Sequence, residues 1–362
     1  MRLGVECTPM PLPRGDPRGH SPILTFVPEP TPEPVPPKAR DSILAWYAAR
    51  GRTLPFRDTS DPYAILVSEA MAQQTQAARA GEAWTRFMAR FPTVESLAEA
   101  PPADVLRAWQ GLGYNRRAIN LQRAARIIVD KHRGAVPSDL ASLEALPGVG
   151  PYTARAVAAL AFGMPVGAVD TNVRRVLGRV LAGDAGAMDP ATLQRVADTS
   201  VPPDWPGFWT HALMDVGATL CHPRRPACEA CPARPWCRYA AAERVTPGGA
   251  TAGAPGDAVG RPAGGRAVRE PPRPFTSTSR WLRGRIVERL RAAPNGAWVP
   301  IAGPMGDHDQ AAVDVALEAL ARDGLVVLEA TDRATRAVVA SDGGWPGPDP
   351  ATAAPRRARL PT

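Results

Sequence analysis

Lysine is almost missing from this chain. Of 43 basic residues only Lys38 and Lys131 are lysines, so nearly all positive charge is arginine. No apolar run approaches the roughly 18–20 residues that span a bilayer, so neither a membrane helix nor a membrane partner is expected. The N-terminal stretch MRLGVECTPMPLPRGDPRGH lacks the apolar core of a signal peptide. The expected location is therefore the cytoplasm (nucleoid-associated in a bacterium), with reduced thiols. From Asp41 to about Tyr239 no alternating strand pattern of useful length occurs, which excludes a β-rich body there.

What is present is length, basic charge and helix. The 362 residues allow two or three domains, and a net charge of +8 suits an anionic partner. Residues 1–39 are dense in proline and read as a disordered or extended tail. Residues 40–240 read as a mainly α domain. Asp61-Pro62 makes a cap and first-turn pair for one helix running through Phe91. Further helices are expected over PADVLRAWQGL, RRAINLQRAARIIVDKH, YTARAVAALAFG and TNVRRVLGRVLAG. Residues 241–275 read as a flexible low-complexity linker. Beyond it come two helical stretches and LVVLEATDRATRAVVA (325–340), which reads as a hairpin. Residues 276–340 thus suggest a small winged-helix-like α+β module, suited either to a nucleic-acid groove or to protein docking. Residues 341–362 read as a loose tail.

The stretch CHPRRPACEACPARPWC spaces Cys221, Cys228, Cys231 and Cys237 as C-x6-C-x2-C-x5-C. Four thiolates so close in sequence can close around one metal centre. Zinc accepts four thiolates, and so does a cubane iron–sulfur cluster. Cys7 lies far away and reads as a bystander. Arg224 and Arg225, held out on the first loop of this knot, suit phosphates, unless they are ordinary solvated arginines. In ALPGVGPYTARAV, Gly148 and Gly150 permit a tight turn before a helix, whose N–H groups then suit a backbone phosphate.

LPGVGPYTA (146–154), AVDTNVRRVLGRV (168–180) and the four-cysteine knot, in that order, resemble the helix-hairpin-helix DNA glycosylases that carry a [4Fe–4S] cluster. Within them, TLPFRD (53–58), YAILVSEAMAQQTQ (63–76), FMARFPTVESLAEAP (87–101) and GLGYNRRAINL (111–121) resemble the A/G-specific adenine DNA glycosylases. The resemblance spans about residues 41–239. It implies a two-lobed all-α fold, a six-helix barrel plus an iron–sulfur cluster domain, with DNA bound across the cleft. A monomer is expected. The implied partner is double-stranded DNA with an adenine mispaired with 8-oxoguanine or guanine.

By the same resemblance, Glu69 is the acid that protonates the leaving purine and Asp170 the anion that stabilises the sugar cation. Glu69 follows the apolar run AILV, where its pKa can rise. Asp170 precedes TNVRRVL, where it caps a helix. Tyr152 stands where bifunctional relatives carry a Schiff-base lysine, so base removal without an efficient lyase step is expected. Asn172 is implied to position Asp170 or the attacking water. Gln74, Thr75 and Tyr114 are implied to fill the gap and hold the opposite strand, and Arg57 to contact the adenine or its surroundings. A thymine or uracil mismatch glycosylase of the same superfamily, and a non-catalytic damage-binding protein, are the competing readings.

Four departures from that pattern stand out. Ala72 replaces a usual leucine, Asn115 a frequent second tyrosine, and His211 a usual glutamate or glutamine. Protonation of His211 near pH 6–7 is expected to make base recognition pH-sensitive. Residues 276–340 do not resemble the nucleotide-diphosphate-hydrolase-like domain that reads 8-oxoguanine in many relatives.

Overall fold

A computed structural model describes residues 33–245, 274–330 and 355–362. The expected tail over 1–32 with Cys7, the bulk of the linker (246–273) and the stretch 331–354 lie outside the described residues. The fold is mainly α. Asp61 caps the first long core helix as its sequence suggests, accepting a bond from the Tyr63 N–H at 3.0 Å. That helix, however, does not run on to Phe91. After α1 (Pro37–Arg50), α2 (Pro62–Ala72) stops short and α3 (Ala77–Arg90) begins anew. Gln74 takes a left-handed backbone (φ 53°). Arg117 draws in the carbonyls of Ala70, Met71 and Gln73, which a continuous helix would need for its own ladder.

One apolar core is built by α2 and α3 with α4 (Val94–Glu99), α5 (Pro102–Ala108), α6 (Arg116–His132), α7 (Leu140–Glu144) and α8 (Pro151–Phe162). Phe87, Leu106, Trp109 and Ile128 are fully buried at its centre. A second core joins α1 to α9 (Thr171–Leu177), α10 (Pro190–Thr199), α11 (Pro206–Thr219) and α12 (Arg238–Val245). This lobe is closed from both ends of the domain. Val35 is buried and its N–H donates to Ser200 Oγ at 2.9 Å, so residues 33–39 belong to the lobe rather than to a tail.

The C-terminal module holds α13 (Ser279–Arg291), β1 (Val299–Ile301), α14 (Gln310–Arg322), β2 (Val327–Leu328) and β3 (Arg356–Arg359). The sheet is antiparallel in the order β1-β3-β2. One expectation is corrected here: β3 lies between β1 and β2, so residues 356–359 form a strand rather than part of a loose tail. Of the expected hairpin over 325–340, residues 331–340 lie outside the described residues. Ala358 and Leu360 are buried, and Pro361 accepts a bond from the Ala103 N–H at 2.9 Å. The module's Leu282, Ile286 and Leu317 pack into the same apolar core as Trp109, which fixes it against the first lobe.

Candidate active site

Glu69 lies on α2, one turn before its end, and is only 8% exposed. An apolar helix face gives a carboxylate little solvation. Burial therefore pushes the Glu69 carboxyl up to about 7; the nearby Asp170 adds to this, while a Tyr152 hydrogen bond and Arg57 work against it. Tyr152 stands in the first turn of α8, just after Pro151. Its own burial, and the two acids beside it, hold the phenol well above its ordinary value, so it keeps its proton and donates to Glu69. Asp170 caps α9, accepting from the Val173 N–H at 2.7 Å. Its other oxygen accepts from Asn172 Nδ2 at 3.0 Å, while Asn172 Oδ1 is held by Arg175 at 2.7 Å. Two acids 101 positions apart in the chain thus act on one another across the junction of the lobes.

Glu69 opens onto a cavity of about 510 Å³ lined also by Tyr47, Ser68, Arg57, Phe208 and His211. Tyr47 and Phe208 meet edge to face with ring centroids 4.6 Å apart. Arg57 faces this cavity with its donors already committed. Its guanidinium forks onto Asp215 at 2.8 and 2.7 Å and also bonds the Arg52 carbonyl at 3.1 Å. Arg52 adds its backbone N–H at 2.7 Å and its Nε at 2.8 Å to the same carboxylate. Asp215 is completely buried. Burial opposes its charge, but the bonds from Arg57 and Arg52 outweigh it and hold the carboxyl below its usual range. Arg57 is therefore a fixed wall rather than a free contact. His211 also differs from expectation: burial, then the charge of Arg57, pushes the imidazole down to about 3. It stays neutral throughout the pH 6–7 range where switching was anticipated.

On the other side of α2's end, Gln74 is exposed and Tyr114 is 40% exposed, both with left-handed φ (53° and 43°). Thr75 has its hydroxyl engaged within the turn, donating to the Gln73 carbonyl at 3.2 Å and accepting from Arg117 at 3.3 Å. Gly148 needs to be glycine twice over, with φ 83° and Asn120 Cβ standing 2.9 Å from where a Cβ would be. Gly150 caps α8, and a Cβ there would meet nothing. In the cysteine loop, Arg224 and Arg225 are exposed beside His222 and Pro223. All four cysteines of the loop line one cavity. Buried Arg179 closes it, donating to Cys221 Sγ at 3.4 Å and to the carbonyls of His222 and Pro223, both at 2.7 Å.

With this geometry in hand, comparison with known proteins is decisive. The family of HhH-GPD superfamily base excision DNA repair proteins matches residues 67–198. An adenine DNA glycosylase of Mycobacterium tuberculosis (strain CDC 1551 / Oshkosh) is 40% identical over 301 residues, covering 79% of this chain and 89% of that protein. One from Mycolicibacterium smegmatis is 38% identical over 294 residues, covering 80% and 93%. The chain belongs to the HhH-GPD superfamily, among its adenine DNA glycosylases. A solved structure of a thermostable thymine-DNA glycosylase is similar at 32% identity and a TM-score of 0.53, covering 56% of this chain and 95% of that one.

The HhH-GPD fold family implies an iron–sulfur centre, and the donor set suits one. Four thiols face one cavity, with the Arg179 cation poised against the first of them. Burial pushes the Cys231 thiol up to about 11 and raises Cys237 as well, a penalty that a bound cationic centre reverses. Among the described residues no group of His, Cys, Asp or Glu is already drawn into closed ligand spacing. Sequence reasoning missed Asp215, Arg52, Arg117 and Arg179. The available signal was an aspartate inside the otherwise apolar run FWTHALMDVG, which a buried helix tolerates only when the charge is paired.

Two outcomes follow from these charges. Glu69 has a folded-state value of about 7 against an ordinary 4.5. The folded state is thus unpenalised below about 4.5 and loses stability as pH rises through 7, by up to about 3 kcal/mol. Glu69→Gln is expected to be more stable than wild type in urea at pH 8 and no more stable at pH 4; an equal offset at both pH values refutes the assignment. Asp215→Asn leaves two guanidiniums without their counter-charge. It is expected to cost about 3 kcal/mol or more in urea unfolding and, by unmasking Arg57 beside Glu69, to move the alkaline fall in single-turnover rate to lower pH. An unmoved pH profile would mean that Asp215 only stabilises the fold.

Proposed function

We propose that this adenine DNA glycosylase removes adenine paired with 8-oxoguanine or guanine from duplex DNA, by hydrolysis and without an efficient lyase step. The observation that carries the reading is a buried acid at the mouth of a purine-sized, aromatic-walled cavity, coupled to a second acid at a helix N-terminus. The adenine leaves the stack, at a cost of a few kcal/mol, and enters between Tyr47, Phe208 and neutral His211. Glu69, whose carboxyl holds its proton up to about pH 7, gives it to a ring nitrogen of the purine. The glycosidic electron pair leaves with the base, and the Asp170 carboxylate, aimed by Asn172, stabilises the positive charge left on the sugar. Water then adds to the sugar carbon, and its proton returns to the Glu69 anion.

Tyr152 supports the monofunctional assignment. A phenol forms no Schiff base, and neither lysine is near: Lys38 is exposed in the first turn of α1, within the second lobe rather than a tail, and Lys131 is exposed in the last turn of α6. Gln74 and Tyr114 are assigned to the gap left in the duplex, Gly148 and Gly150 with the N-terminus of α8 to a backbone phosphate, and Arg224 and Arg225 to phosphates further along. Cys221, Cys228, Cys231 and Cys237 are assigned to a [4Fe–4S] cluster. When bound, such a cluster staples the loop that presents those arginines.

Single-turnover reactions with A opposite 8-oxoguanine, A opposite G, T opposite G and U opposite G test this directly. Strand breaks are expected only in the adenine strand and only after alkali, with a rate that is flat below about pH 7 and falls above it as Glu69 deprotonates. Release of thymine or uracil, breakage without alkali, or turnover by Glu69→Gln each overturns the reading. Iron-loaded protein is expected to absorb near about 400 nm, and Cys228→Ser to lose that band. A zinc-only protein with no such band removes the cluster assignment.

A further inference from the structure

Most polar groups of the excision cavity are already engaged within the protein. Arg57 is forked onto Asp215 and bonds the Arg52 carbonyl, and Arg52 is itself bound to Asp215. The Ser68 hydroxyl gives its hydrogen to the Ile65 carbonyl at 2.8 Å and is only 3% exposed. The Tyr47 phenol oxygen accepts from Arg57 at 3.4 Å. Asp58, the other carboxylate of the lining besides Glu69, is exposed.

His211 differs from all of these. It reaches the cavity from the second turn of α11, and among the described residues nothing hydrogen-bonds either of its ring nitrogens. Its contact with Tyr47 is between tilted rings, with centroids 6.3 Å apart, and uses neither nitrogen. Burial and the Arg57 charge push the imidazole down to about 3, so it is neutral. A neutral imidazole carries one N–H and one bare nitrogen, and the partner that each meets decides which is which. Since the protein fixes neither, the ring can turn a donor or an acceptor toward the cavity by exchanging tautomers. Arg57 lies close enough to both Glu69 and His211 to act on their charges, so a base held by the acid shares one pocket with the imidazole.

This freedom bears on the edge of a purine that carries position 6. Adenine offers a 6-amino donor there beside an acceptor at N1. Hypoxanthine, its deamination product, offers a 6-oxo acceptor beside an N1–H donor. The polarity of that edge is inverted, while the bare N7 and the bulk of the ring are kept. A carboxylate or an ammonium suits one polarity and rejects the other. We propose that this enzyme also releases 6-oxopurines, hypoxanthine first among them, because His211 accepts from adenine in one tautomer and donates to the 6-oxo base in the other. The apolar walls make no distinction, since Tyr47 and Phe208 present rings to either base. The step is the same hydrolysis: Glu69 gives its proton to N7, the glycosidic electron pair leaves with the base, water adds its oxygen to the sugar carbon, and the water proton returns to Glu69. The inference rests on the base-excision reading above and widens its substrate class.

Single-turnover reactions of the full chain on duplexes with adenine or hypoxanthine opposite 8-oxoguanine test this, with free base collected and the strand then cut by alkali. The readout is the ratio of the adenine rate to the hypoxanthine rate, which a general loss of fold or of acidity does not move. The parent is expected to give a ratio below about thirty. His211→Glu, ionised beside Arg57, presents an acceptor only, and against a 6-oxo group it leaves both unpaired; the ratio is expected to rise at least about thirtyfold. His211→Gln, whose amide turns either way, is expected to keep the ratio within about fivefold of the parent's. Glu69→Gln should abolish release of both bases. A larger parent ratio, or a ratio that His211→Glu leaves in place, overturns the proposal; where His211→Glu does not fold, the parent ratio decides alone. Adenine release without hypoxanthine overturns it while the reading above stands. Hypoxanthine release without adenine overturns that reading and keeps the 6-oxo pocket, and release of neither removes both.

Discussion

Keeping a carboxylic acid protonated at neutral pH in a protein this rich in arginine is the constraint around which the site is arranged. A bare guanidinium within a few ångströms of Glu69 would draw its proton off, yet a pocket for an extruded base gains from having cationic walls. The structure reconciles the two by burying Asp215 between Arg52 and Arg57. The fork geometry locks Arg57 in place and its charge is largely cancelled, so the wall is rigid and polar while Glu69 still sits near 7. Tyr152 belongs to the same balance. Its phenol hydrogen-bonds and orients the carboxyl; that bond favours the anion, and burial outweighs it.

Position in the fold completes what electrostatics begins. Glu69 and Tyr152 come from the first lobe, Asp170, His211 and Asp215 from the second, and Tyr47 from α1, which belongs to the second lobe although it precedes the first in sequence. α8 touches both α2 and α11, so the phenol stands at the seam where the two acids meet. Asn172 shows how short-range structure serves the same end: its amide bonds Asp170 while Arg175 holds its carbonyl. The Asp170 carboxylate is thus aimed by a residue two positions away, itself fixed by one three further on.

What could be read from the sequence followed the range of the interactions involved. The Asp61-Pro62 cap, the Gly-Val-Gly turn, the Asp170 cap and the four-cysteine spacing are local, and each has a residue pattern that its geometry demands. The break at Gln73–Gln76 was hidden because its residues are passable helix formers; the cause, Arg117, lies 44 positions from the carbonyl of Gln73. β3 was hidden for a related reason. RRAR has no alternating apolar pattern to announce a strand, and its partners lie far back in the chain. Asp215 was the hardest, since its partner Arg57 is 158 positions away and nothing near either residue announces the other. Even His211 could not be assigned a charge state without knowing how deeply it is buried.

The near-absence of lysine acquires a meaning once the arginines are followed one by one. Arg57, Arg117, Arg175 and Arg179 each reach two or more backbone carbonyls or buried acids. A planar, five-donor fork can satisfy several acceptors at once, where an ammonium offers a compact and strongly hydrated charge. These arginines are therefore internal framework, Arg179 buried and the other three only partly exposed. The net charge of +8 is a poor guide to the surface that DNA would meet, and the arginines left over are the informative ones. Arg224 and Arg225 stand out on the cysteine loop, and Arg280, Arg285 and Arg116 line a channel on the far side of the α2 turn. Asn115 fits the same logic, since its side chain receives Arg291 and so helps join that channel's two walls.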